Sequence, residues 1–141
     1  MSYIAWFEAH AAKHKELVTK LLERGMDKET IIEYFDFENM LEHEKEFCPL
    51  YADKQKCHDV PSLNCYFCAC PNFRFNDKGV KKVEDKTQYS YCEIDSKDGA
   101  LGVYGEAIHQ DCSGCSVPHL RSYVEKNFDL NWRKAMQGCI V

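Results

Sequence analysis

Between Cys48 and His119 no helical or strand period persists, yet eight of the nine cysteines of the chain lie there. A segment that cannot bury a broad apolar face needs another source of folding free energy. Metal ligation supplies one, contributing about 10 to 16 kcal/mol in small zinc modules. Turn formers are scattered through the same stretch, among them Pro49, Pro61, Pro71, Gly79, Gly99, Gly105 and Gly114, so loops should predominate. Short strands are expected at Phe73 to Phe75, Gln88 to Ile94 and Leu101 to Tyr104, where aromatic and branched residues sit between turn signals.

The densest run is Asn64-Cys65-Tyr66-Phe67-Cys68-Ala69-Cys70-Pro71, with three thiols in six residues. Two cysteines separated by two residues reach one tetrahedral ion from a tight turn, so Cys65 with Cys68 and Cys112 with Cys115 each read as a half-site. Cys48, Cys57, Cys70, Cys92 and His119 complete the donor set. Cys65, Cys68 and Cys70 cannot all bind one zinc without straining their short segment, which points to two adjacent ions or to an iron-sulfur cluster. Eight cysteines and His119 make nine donors, and two four-coordinate sites use nearly all of them. Two zinc ions are the leading expectation, and an iron-sulfur cluster, alone or with one zinc, is the alternative. His58 adjoins Cys57, and ligation and an outer hydrogen bond stand equal there. His109 reads as a surface residue. Cys139 stands apart near the C-terminus and is left out of the ligand set as a buried or free thiol. No strand-helix-strand pattern surrounds the Cys112 pair, which argues against a thioredoxin-like dithiol.

Helical periodicity returns on both flanks. From Tyr3 to Arg24 the apolar positions Ile4, Phe7, Ala11, Leu17, Val18, Leu21 and Leu22 define one amphipathic helix, with Lys13, His14 and Lys20 filling the intervening face. Gly25 should stop it and Asp27 should cap the next helix, whose broad apolar face (Ile31, Ile32, Tyr34, Phe35, Phe37, Met40, Leu41) suggests packing on more than one side and a break between Asp36 and Asn39. After Pro118, Leu120, Tyr123, Val124 and Phe128 predict a helix, followed by a short one that Asp129 caps and Gly138 ends. The fold class expected is α+β: a small metal-stapled, loop-rich cysteine core with short strands, flanked by an N-terminal helical hairpin and C-terminal helices. At 141 residues one domain is expected, with a helical N-terminal region spanning 1–47, a cysteine-rich core 48–119 and a helical tail 120–141.

Formal net charge is −5, and a tetrathiolate zinc centre is itself a dianion, so the balance argues against a nucleic-acid footprint. A weaker alternative, a nucleic-acid-binding zinc module, rests on Arg74, Lys78, Lys81, Lys82 and Lys86 beside Tyr66, Phe67, Phe73, Phe75, Tyr89 and Tyr91, although aromatic residues beside metal knuckles more often form a core. No export-type apolar segment follows Met1, and no stretch is long enough to cross a bilayer. These features predict a cytoplasmic chain, where close cysteines more often bind metal than form disulfides. A protein partner for the flanking helices fits this reading. No catalytic residue, substrate or oligomeric state follows from the sequence.

Three motifs, Cys57-His58, then NCYFCACP from Asn64, and DCSGCSVPH from Asp111 to His119, resemble the signature of the cysteine-rich small domain family of metal-binding, zinc-finger-like proteins. The similarity covers about half the chain. It implies metal binding more directly than it implies a reaction.

Overall fold

A computed structural model describes residues 3–141; Met1 and Ser2, the first two residues of the segment read for an export signal, lie outside them. The chain is mixed α+β, with five α-helices and two small sheets among the described residues. Helix α1 (Tyr3–Glu23) presents Phe7, His10, Ala11, His14, Leu17, Val18 and Leu21 to the interior. His14 thus belongs to the buried stripe and not to the polar face, because it falls on the three-to-four residue period of its neighbours; Leu22, one position past that period, is exposed. Gly25 adopts φ +79°. Its amide donates to the Leu22 carbonyl at 2.9 Å and the Met26 amide to Leu21 at 3.3 Å, the two bonds of a Schellman stop. Asp27 then caps α2 (Lys28–Tyr34), its carboxylate accepting from the Thr30 amide at 2.9 Å.

The break between α2 and α3 (Phe37–His43) joins the helical front to the thiol segment. Asn64 is 2 % exposed. Its side-chain amide donates to the Ile32 carbonyl at 2.7 Å, the acceptor that Asp36 would use if the helix continued, and also to Asp36 Oδ1 at 2.9 Å. The Phe37 amide donates to Leu63, and the Cys65 amide to Phe35, at 2.9 and 2.7 Å. The loop carrying Cys65 is therefore pinned inside a gap in the helical layer.

Strand β1 (Phe73–Phe75) pairs antiparallel with β4 (Ser90–Cys92) in one sheet. The other sheet has the order β2-β3-β6-β5, from β2 (Lys81–Val83), β3 (Lys86–Gln88), β5 (Ala100–Tyr104) and β6 (Ala107–Asp111). The expected Gln88 to Ile94 strand is split at Tyr89, so that β3 and β4 serve different sheets. Strands β2 and β6 had no legible signal, since Lys81-Lys82 and His109-Gln110-Asp111 are polar and largely exposed. Helices α4 (Arg121–Asn127) and α5 (Trp132–Ala135) close the chain. Asn131, not Asp129, caps α5; Asp129 accepts from the Asn131 amide at 2.8 Å and shapes the turn just upstream. The helix ends at Ala135, before Gly138, where the Arg74 guanidinium lies over the backbone.

The core is strongly aromatic. Trp132, 1 % exposed, meets Phe7 and His10 at 5.0 Å between ring centroids, and His14 stacks on Phe35 at 5.1 Å and stands edge-on to Tyr66 at 4.6 Å. Tyr66, Phe67 and Phe75 are buried, which places those aromatics in the core rather than on a base-stacking surface. Arg74 is engaged by Glu93 and by the Pro71 carbonyl.

Candidate metal centre

The sheet register and the Asn64 anchor sort the thiols into two places. Cys48 precedes a short 3-10 helix (Pro49–Asp53), Cys57 follows in a loop, and Cys65 and Cys68 flank the buried Tyr66 and Phe67. These four cysteines and His119 line one cavity of about 290 Å³, walled by Trp6, Phe37, Phe47 and Tyr51. On the other side, the β1 to β4 pairing sets Phe73 opposite Cys92, close to Cys70 in the turn before β1, and β6 runs directly into Cys112. Cys70, Cys92, Cys112 and Cys115 line a second, tighter cavity of about 20 Å³ with Phe73, Ile94 and Val117, a space on the scale of a single small particle. Cys70 thus faces away from Cys65 and Cys68, with Ala69 between.

Electrostatics divide the thiols the same way. Burial pushes Cys65 up to about 12, and the charges of Cys57 and Cys48 add to the shift. Cys68 is held well above the usual thiol range by burial and then by Cys65, Cys48 and Cys57. In the second set, burial raises Cys112 to about 11, assisted by Cys70, Cys115 and Cys92. Cys70 is also raised, first by burial, against the Asn72 amide, with Cys92 and Cys115 contributing. Cys65 and Cys68 in one set and Cys70 and Cys112 in the other resist ionisation as long as no cation is at hand, and a divalent ion reverses that balance.

Backbone and hydroxyl donors already point at the second set. The Asn72 amide lies 3.4 Å from Cys70 Sγ and the Ser96 amide 3.5 Å from Cys92 Sγ, while Ser96 Oγ is 3.2 Å from Cys115 Sγ. A neutral thiol is a weak acceptor, whereas a metal-bound thiolate makes good use of such donors, so these residues fit a thiolate-bound cation. The Cys115 amide closes on the Cys112 carbonyl at 3.0 Å, and Asp111 holds the turn by accepting from the Ser113 amide at 2.9 Å.

His119 sits in a 3-10 turn (Val117–His119) ahead of α4 and is 4 % exposed. Its Nδ1 lies 2.8 Å from the Asn64 carbonyl, and its Nε2 3.5 Å from Cys57 Sγ. His58 places Nδ1 3.2 Å from the same sulfur and Nε2 3.0 Å from the Cys112 carbonyl. Among the described residues, Cys57, His58 and His119 are the one group of three donors whose ligand atoms all lie within 4.8 Å of one another. His58 and Asn64 are the residues that sequence reasoning underweighted. The signal for His58 was its adjacency to Cys57, since the short reach of Nδ1 lets neighbouring residues face one point.

The other singled-out residues lie elsewhere. Cys139 is buried, with Sγ 3.4 Å from the Cys70 carbonyl, and stands outside both thiol sets. His109 is exposed on β6 and stacks on Tyr89 at 5.3 Å. No described helix is long and apolar enough to cross a membrane. Compared with known proteins, the chain matches no family model, no curated protein and no solved structure.

Proposed function

We infer that this is a metal-binding protein whose cysteine-rich middle is organised by two tetrathiolate zinc centres, Cys48/Cys57/Cys65/Cys68 and Cys70/Cys92/Cys112/Cys115, with a structural role. The observation that carries this is the division of eight thiols into two fours that line separate cavities; the raised pKa values of Cys65 and Cys68 on one side and of Cys70 and Cys112 on the other owe their thiol contributions to members of the same four. A tetrahedral zinc would require sulfur separations of about 3.8 Å within each four, closer than the sulfurs stand without an ion, so loading each centre would draw its thiols inward. All nine cysteines are unbridged, which agrees with a reducing compartment such as the cytoplasm, and the resemblance to the cysteine-rich small domain family supports the same reading. Helices α1 and α3 wall the first cavity through Trp6, His10, Lys13 and Phe37, and a protein partner for the helical layer fits the same reading.

Elemental analysis of the purified chain, paired with a Cys68→Ser variant and a Cys92→Ser variant, tests the assignment. Each substitution should remove about one zinc and lower thermal stability sharply. Protein that contains no transition metal, and that keeps its fold in strong chelator, would refute it. Broad visible absorption after anaerobic purification, with iron and acid-labile sulfide, would instead establish the iron-sulfur alternative.

A further inference from the structure

His58 and His119 face Cys57 with lone pairs, and the hydrogen bonds around these three side chains do not close. The Asn64 and Cys112 carbonyls only accept, so His119 Nδ1 and His58 Nε2 carry the ring hydrogens. That leaves His119 Nε2 and His58 Nδ1 as acceptors, both directed at the Cys57 sulfur, at 3.5 and 3.2 Å. One thiol hydrogen satisfies only one of them. The other would set a nitrogen lone pair against a sulfur lone pair with nothing between. Charging both rings instead would place two cations side by side, with ring centroids 4.8 Å apart and a single sulfur to share. A cation seated between the three atoms resolves the conflict, because all three then act as donors of electron pairs.

The distances agree with this. Zinc bonds of roughly 2.3 Å to sulfur and 2.0 Å to nitrogen, at the tetrahedral angle, separate the two ligand atoms by about 3.5 Å. The backbone carbonyl behind each ring also fixes its orientation, as outer hydrogen bonds do for imidazole ligands generally.

We propose that Cys57, His58 and His119 hold a borderline divalent cation, zinc foremost, in a three-ligand site whose fourth position opens on the 290 Å³ cavity. This ion is additional to those of the two tetrathiolate centres. Cys57 belongs to the first of them as well, so its thiolate bridges two ions. The charge count favours such a bridge: four thiolates around one zinc carry a net −2 in a partly buried setting, and a second divalent ion with two neutral imidazoles brings the unit to zero. Where a tetrathiolate ion is closed, this one keeps a position for water or a small ligand, the arrangement of a Lewis-acid centre.

Metal counting on the full chain tests the proposal, with wild type, His58→Ala and His119→Ala each saturated with zinc and freed of excess by gel filtration. The expected result is three zinc ions per chain in wild type and two in each variant, with unchanged circular dichroism. Cobalt substitution should give a third equivalent whose spectrum lacks tetrathiolate charge-transfer intensity and responds to added azide. His58 is only partly buried, so its variant decides the matter if His119→Ala fails to fold. Equal zinc content in wild type and His58→Ala overturns the proposal, as does a wild-type protein that saturates at two. Loss of one zinc in His58→Ala while Cys68→Ser and Cys92→Ser lose none would uphold the three-ligand site and refute the tetrathiolate centres instead.

Discussion

His14 makes the sharpest test of how the core responds to acid. It is fully buried, its Nε2 lies 3.1 Å from the Tyr66 carbonyl, and its Nδ1 has no partner. Burial lowers its pKa from 6.5 to about 3, with the nearby His10 adding to the shift. A histidine with a depressed folded pKa binds fewer protons folded than unfolded. Stability therefore rises with pH between about 3 and 6.5 and is independent of this residue above that window. Below pH 6.5 each unit costs about 1.4 kcal/mol, or about 2 kcal/mol at pH 5.0. His14→Phe keeps a ring in the slot between Phe35 and Tyr66 and removes the titration. It also leaves the Tyr66 carbonyl unpaired, at a cost of about 1 kcal/mol. The variant should thus be less stable than wild type at pH 7.5 and more stable at pH 5.0, with the two curves crossing near pH 6. Urea unfolding of both metal-saturated proteins across this range reads the crossing. Acid release of metal affects both proteins alike and cancels in the difference. Parallel stability curves would show that His14 titrates as an ordinary surface histidine and would refute the argument.

Asn64→Ala removes side-chain bonds to Ile32, Asp36 and Tyr66 and should cost about 3 kcal/mol in urea unfolding. Zinc titration of the apo chain at pH 7.5 should release a proton from each of Cys65, Cys68 and Cys112, whose thiols burial holds protonated in the free state; calorimetry in two buffers of different ionisation enthalpy, comparing wild type with Cys68→Ser, measures the release. Cys139→Ala should leave zinc content unchanged and lower stability by about 1 kcal/mol, a small core truncation that separates this thiol from the ligands.

Local chemistry was legible where it is dictated by one residue. Gly25, Asp27 and the β1 segment could be read directly, because a positive φ, a capping carboxylate and a run such as Phe73-Arg74-Phe75 act over a few residues. What could not be read is set by distant partners. The α2 to α3 break depends on Asn64 taking the Ile32 carbonyl, β6 is held by its neighbours β3 and β5, and the burial of His14 depends on an aromatic box assembled from Phe35, Phe47, Tyr66 and Trp132. Spacing singles out eight thiols and His119 as candidate donors, yet it is silent on which thiols share a cavity. Cys70 illustrates the point, since a turn of two residues decides which side it faces.

That turn has a mechanical consequence. Cys68 and Cys70 are separated by Ala69 alone, so their α-carbons lie no more than about 7 Å apart, and one strip of backbone serves as the party wall between two chambers. If both chambers hold ions, withdrawing either one releases an end of the strip that the other relies on. Loss of one ion should then loosen the other, so the zinc that remains in Cys68→Ser or Cys92→Ser should yield to chelator at a lower concentration than either ion of the wild-type chain.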